Sequence, residues 1–247
     1  MNAMHIEVLP DPDAVSEAVS NRMAAAILRR LSESDIAHIC ITGGRGGHGA
    51  LASLSRDRGI DWSRVHVWWS DERFLAAGDD DRNDTMAREA LLERVDLPVG
   101  NIHAMPSTDD YRDVATAAAA YAAELAEFGD PCPIFCVSIL GMGEDGHVAS
   151  LFPGHPGLLR SDPAFAVPDS PKPPPVRVSM SFDTINRAHE IVLIASGAGK
   201  ADAVGLLIND PGPLAVPAAG VHGTDLTVLV VDDAAAVHLP PGLTRQR

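Results

Sequence analysis

The residues best suited to acid–base chemistry lie together in "GMGEDGHVASLFPG", residues 141–154. His147 is the side chain there that takes up a proton near neutral pH without first being shifted, so it is the natural general base. Asp145 precedes it closely enough to orient the ring or to favour its protonated form. The segment follows the apolar run "IFCVSIL", and its glycines let the backbone approach a ligand. A glycine-rich loop at a strand's end that also carries titratable groups is a candidate site, with a structural turn as the plain alternative.

Three further stretches carry chemistry. "TGGRGGHG", Thr42 to Gly49, follows "IAHICI" and opens a helix. Gly44, Gly46 and Gly49 fit the spacing G-x-G-x-x-G, with Asp71 roughly 20 residues further on. Free backbone N–H groups at a helix start favour any phosphate, so the loop is a candidate phosphate site. Sugar phosphate, dinucleotide and structural turn all remain open on this motif alone. "SDERF" places Asp71 and Arg73 at the end of "VHVWW", where a guanidinium suits the paired oxygens of a phosphate and a surface ion pair is the plain alternative. Arg82 and Asn83 open the next helix, where Asn83 serves either the site or the helix cap. Arg177 in "VRVSM" and Lys200 in "SGAGK" complete the set. Lysine at a helix start opposes the helix dipole, which a local anion would explain, and a solvated basic residue is the plain alternative.

These residues need a scaffold that brings strand ends together. "IAHICIT", "VHVWWS", "IFCVSIL", "VRVSMS", "EIVLIA" and "DLTVLVV" read as strands buried on both faces. Between them, "DAVSEAVSNRMAAAILRRL", "NDTMAREALLERV" and "DDYRDVATAAAAYAAELAEF" repeat apolar residues at helical spacing and read as crossover helices. The expectation is an α/β protein, three-layer α/β/α with a mostly parallel sheet, forming a single domain over 1–247. Segments 168–175, "PDSPKPPP", and 209–220 resist regular structure and read as loops. In an open parallel sheet the loops after successive strands share one edge, so the separate stretches can meet in one crevice.

Composition narrows the chemistry. A formal net charge of −15, from 34 acids against 19 bases, opposes binding to nucleic acid or an anionic membrane surface. A bound anion therefore needs a local positive site. Cys40, Cys132 and Cys136 form neither an even disulfide framework nor a CxxC metal pattern, and read as reduced core thiols. The start of the chain lacks a basic region followed by a long apolar run, which points to a soluble cytoplasmic protein. No G-x-S-x-G, H-E-x-x-H or paired CxxC occurs, and His48, His103 and His155 show no ligand spacing, so no metal site is expected.

Taken in order, the four stretches resemble the 6-phosphogluconolactonase family, within the larger group of glucosamine-6-phosphate isomerase and deaminase-like proteins. "LGMGEDGHVASLFPG" matches the lactonase pattern nearly throughout, and "DER" at 71–73, Asn83 and "GxxK" at 197–200 follow in the same order. "ASLFP" and Arg73 favour the lactonases over the deaminases, which carry "AFNEP"-like and "DEY" stretches there. The glycine loop departs from the family's S-G-G-S-T-P pattern, keeping backbone donors and losing side-chain hydroxyls around Arg45. The resemblance implies a modified Rossmann-like fold of the NagB/RpiA/CoA transferase-like type. It implies hydrolysis of 6-phospho-D-glucono-1,5-lactone without metal or organic cofactor. In this chain His147 would be the base, assisted by Asp145, and the substrate would be held by Gly43, Gly44, Arg45, Asp71, Arg73, Asn83, Arg177 and Lys200.

Overall fold

The structure is a computed structural model and describes residues 4–209 and 212–240. Along the chain run β1 (His5–Leu9), α1 (Pro12–Glu33), β2 (Ala37–Ile41), α2 (Gly44–Leu54), β3 (Val65–Trp69), β4 (Asp71–Arg73), α3 (Asn83–Ala87) and β5 (Ile102–His103). There follow α4 (Val114–Glu127), β6 (Val137–Gly141), β7 (Ala164–Val167), β8 (Arg177–Met180), α5 (Phe182–Ile185), β9 (Glu190–Ala195), α6 (Ala201–Leu207) and β10 (Leu226–Asp232). Seven strands form an all-parallel sheet in the order β1-β10-β9-β6-β2-β3-β5, flanked by helices. The chain runs outward from β2 to β3 and β5, and from β6 to β9 and β10 the other way. The crevice at the carboxyl ends of β2 and β6 is therefore the switch point where ligands bind in such sheets.

Local chemistry explains most boundaries. Asp11 caps α1 by accepting from Ala14 N at 2.8 Å, Pro12 fits its first turn, and Val15, Val19, Met23 and Ile27 form its buried stripe. The helix expected from residue 109 begins only at Val114, because Asp113 caps Thr116 N at 2.9 Å. "NDTMAREALLERV" is helical but changes pitch, with α3 followed by a π-helical turn at Arg88–Leu92. Segment 168–175 is irregular as expected. Within 209–220, residues 210 and 211 lie outside the described residues and Pro217–Gly220 forms a 3₁₀ turn. The edge strand β1 and the short β5 and β7 were not expected.

One expected strand changes sheet. "VRVSM" forms β8 in a separate antiparallel sheet, ordered β4-β8-β7, and not in the parallel one. Ser70 alone separates β3 from β4, so no helical crossover intervenes to set up a parallel return. Ser70 N donates to Ile41 O at 3.0 Å, and Met180 N donates to Ser70 O at 2.8 Å. This one residue joins the two sheets beside the crevice.

The three cysteines are free and buried, and burial pushes the Cys40 and Cys136 thiols up to about 12. His103 stacks on Trp68 with ring centroids 3.8 Å apart, and its Nδ1 lies 2.7 Å from Glu124 Oε1. That histidine is part of the packing. No helix among the described residues is long and apolar enough to cross a membrane.

The least exposed carboxylate beside the crevice is Glu72, at 1%. It accepts from the backbone N–H groups of Arg73 at 2.7 Å, Asn83 at 2.8 Å and Asp84 at 2.7 Å. Arg82 Nη2, also buried, stands 3.7 Å from its Oε2. Burial pushes the carboxyl up to about 7, against the opposing pull of Arg82 and the N–H groups. Every polar neighbour is a donor, so the ionised form fits the geometry. Glu72 thereby caps α3 from a distance, and Asn83 is the first residue of that helix rather than its cap.

Glu72→Gln should therefore cost about 2–4 kcal/mol in urea unfolding, because an amide N–H₂ turned toward backbone N–H groups leaves buried donors unpaired. A midpoint equal to that of the native chain would show that the cap carries little stability.

Candidate active site

The loop after β6 folds back on itself. Gly143 N donates to His147 O at 2.8 Å, and Gly146 N donates to Gly143 O at 3.0 Å. This tight turn sets two side chains against each other, with His147 Nδ1 2.5 Å from Asp145 Oδ1. That contact assigns the ring proton to Nδ1, leaving Nε2 as the basic nitrogen, with no hydrogen-bond partner among the described residues. Phe152 packs against the ring at 4.6 Å between centroids and limits its rotation. Partial burial pushes the Asp145 carboxyl up, but the hydrogen bond and charge of His147 and the Lys172 ammonium outweigh it and hold it well below the usual carboxylate range. Gly143 makes the pair possible, since a Cβ there would stand 2.0 Å from His147 Nδ1 and 2.6 Å from Asp145 Oδ1.

Ala149, in the left-handed region at φ 48°, turns the chain just beyond His147. Ser150 then points back into the protein, donating its Oγ to Asp71 Oδ2 at 2.7 Å. Arg177 Nη1 lies 3.8 Å from the same oxygen, and its guanidinium covers Phe152 at 5.6 Å. Asn83 Nδ2 donates to Asp71 O at 2.9 Å. The β2–α2 loop comes so close that a Cβ on Gly43 would stand inside Asn83, 1.8 Å from its Oδ1. The glycine spacing also serves packing, for Gly49 abuts Ser16 of α1.

Gly43, Gly44, Asp71, Arg73, Asn83, His147, Arg177 and Lys200 line one cleft of about 330 Å³. Asp145 stands beside His147, and the exposed Arg45 lines an adjoining cavity of about 270 Å³ that shares Gly43, Gly44 and Lys200 with the cleft. Arg73 donates from Nη1 to Asp81 O at 2.5 Å, while its buried Nε has no partner among the described residues. Burial lowers the Lys200 ammonium from its ordinary value, with Glu144 pulling the other way. A bound anion would offset that cost. The Arg177 donors are largely engaged, Nε with Pro174 O and Nη2 with the carbonyls of Lys172 and Pro173.

Sequence reasoning missed Glu72, Ser150, Glu144 and Lys172. Among the described residues, no group of three or more His, Cys, Asp or Glu is arranged to hold a metal ion.

Residues 10–230 match the family described as glucosamine-6-phosphate isomerases/6-phosphogluconolactonase. The chain belongs to this family. A 6-phosphogluconolactonase of Streptomyces coelicolor is 43% identical over 245 residues, covering 94% of each chain. One from Mycobacterium tuberculosis is 43% identical over 242 residues, covering 95% of this chain and 98% of the relative. Among solved structures, 6-phosphogluconolactonase from Thermotoga maritima superposes with a TM-score of 0.83 at 27% identity, covering 94% of this chain and all of the other. The family fold thus coincides with the α/β architecture described above.

The Gly143 contact gives a direct test. Gly143→Ala should separate His147 from Asp145, so the deshielded Nδ1 proton resonance of a short imidazole–carboxylate bond should vanish while circular dichroism stays native. Persistence of that resonance would mean the turn can yield without breaking the pair.

Proposed function

We propose that this family member hydrolyses 6-phospho-D-glucono-1,5-lactone to 6-phospho-D-gluconate, with His147 as general base. The observation that carries the reading is the His147–Asp145 pair facing a cleft lined by Arg73, Arg177, Lys172 and Lys200. The names of the Streptomyces, Mycobacterium and Thermotoga relatives support the same substrate.

His147 Nε2 accepts a proton from water as the water oxygen bonds to the lactone carbonyl carbon. Asp145 holds the ring in the productive tautomer and stabilises the imidazolium that forms. Cleft cations and backbone donors offset charge on the carbonyl oxygen. Collapse breaks the bond from that carbon to the ring oxygen, which receives the proton from His147, and the new carboxylic acid loses its proton to solvent. The phosphate is assigned to the β2–α2 loop, Arg73 and Lys200, where a helix start, a guanidinium and a desolvated ammonium line the same cleft. Binding energy at that remote end orients the reacting carbonyl.

Asp71 in the same cleft is the residue that a deaminase-type proton abstraction would require. Its Oδ2 is already committed to Ser150 and faces Arg177, which favours holding substrate over taking a carbon-bound proton.

Lactone consumption should exceed spontaneous opening, with no turnover of glucosamine 6-phosphate in a parallel assay; the reverse pattern would move the chemistry to Asp71. His147→Ala should lower kcat by ~10²–10⁴ with folding intact, and activity should decline on the acid side as the imidazole becomes protonated. Wild-type-like turnover in that variant would remove His147 from the mechanism. Arg73→Ala and Lys200→Ala should each reduce kcat/KM by ~10- to 150-fold for the phosphorylated lactone and far less for its unphosphorylated analogue. Equal losses on both substrates would place these cations at the ring instead.

A further inference from the structure

Lys172 lies in the proline-rich segment after β7, and its main chain is pinned from several sides. Ser170 Oγ donates to Lys172 O at 3.0 Å and accepts from Lys172 N at 3.2 Å. Arg177, 5% exposed, donates Nη2 to the carbonyls of Lys172 and Pro173 at 3.2 Å each, and Nε to Pro174 O at 3.0 Å. One buried guanidinium thus gathers three successive carbonyls, and the prolines on both sides fix φ along the segment. A loop so held delivers its lysine to one place.

That place is the histidine pair. Lys172 Nζ stands 3.3 Å from Asp145 Oδ1, the oxygen that His147 Nδ1 approaches at 2.5 Å. A single carboxylate oxygen is therefore in contact with both an imidazole and an ammonium. Undivided, an aspartate beside an imidazole favours the imidazolium, which can no longer take a proton from water. The geometry points to Lys172 as a positioning residue that shares Asp145 with His147 and keeps the imidazole free to act as a base. This deepens the lactonase reading and rests on His147 being the base.

Other charged groups also face the pair. Glu144 belongs to the same loop, Asp71 and Arg73 come from β4, Arg177 from β8, and Lys200 from the turn before α6. They are common to every variant below, so a difference between variants isolates the charge at 172. Lys172 reaches Asp145 from a side chain that is 39% exposed, so its replacement leaves the core intact.

The test compares wild type, Lys172→Met and Lys172→Arg by NMR titration of the His147 ring, beside kcat/KM profiles corrected for spontaneous hydrolysis. Removing the ammonium leaves Asp145 wholly to the imidazole, so the imidazolium persists to higher pH. In K172M the ring titration and the acid limb should both move upward by about half to one pH unit, while K172R stays with wild type. A K172M ring that titrates with wild type or below it overturns the proposal. So does an equal shift in K172R, which would trace the effect to loop packing rather than charge. Wild-type protein no faster than background would instead overturn the lactonase reading, while the ring titration would still decide the sharing of Asp145.

Discussion

The carboxylate of Glu72 is the point on which the crevice depends. By accepting three backbone N–H groups it ends β4 and starts α3 with one side chain. Asn83 is thereby fixed as the first residue of α3, its amide reaches the Asp71 carbonyl, and the β2–α2 loop must pass so close that only glycine fits at 43. The parallel sheet supplies the ends of β2, β6 and β9, but the antiparallel sheet supplies Asp71, Arg73 and Arg177. Without a rigid tie between β4 and α3, the two groups of residues would have no fixed relation across the cleft. Burying a carboxylate is costly, and it is tolerated here because its neighbours are donors.

The cations divide by what their donors already hold. Arg177 and Arg82 are buried and spend their N–H groups largely on backbone carbonyls, Arg177 on the proline-rich segment and Arg82 on Arg73, Leu75 and Met105. Planar guanidinium groups suit that task, since one group can join several acceptors at set angles. Arg73 lines the cleft with a half-buried side chain, and Lys200 is partly desolvated beside the glycine loop. The first pair builds the walls, and the second is better placed to meet an anion.

Legibility in the sequence followed how local each feature is. The 141–154 loop was readable because its glycines, acid and histidine are neighbours in the chain and their chemistry acts within the same turn. The parallel core was readable because "IFCVSIL" and "EIVLIA" are continuous apolar runs. "VRVSM" looked alike and yet belongs to the antiparallel sheet, since what decides its sheet is the single residue between β3 and β4, far away in sequence. Glu72 was hidden by Asp71, for adjacent acids are indistinguishable until one is seen to cap α3. Lys172 was hidden among prolines, whose irregularity says nothing about what holds them. His5–Leu9 carries too few apolar residues to announce a strand, and β10 supplies the order it needs.

A chain of net charge −15 that gathers Arg73, Arg177, Lys172 and Lys200 around one cleft has two electrostatic regimes. Inside, the cations give the cleft a local positive character that favours an anion. Outside the cleft the acidic body repels anions, over the roughly 10 Å within which screening leaves its field appreciable. Opening a lactone creates a carboxylate, so the departing molecule carries one more negative charge than the arriving one. The outer field therefore opposes the return of product more strongly than the arrival of substrate. For a lactonase this charge arrangement slows the rebinding of released product more than the capture of fresh substrate.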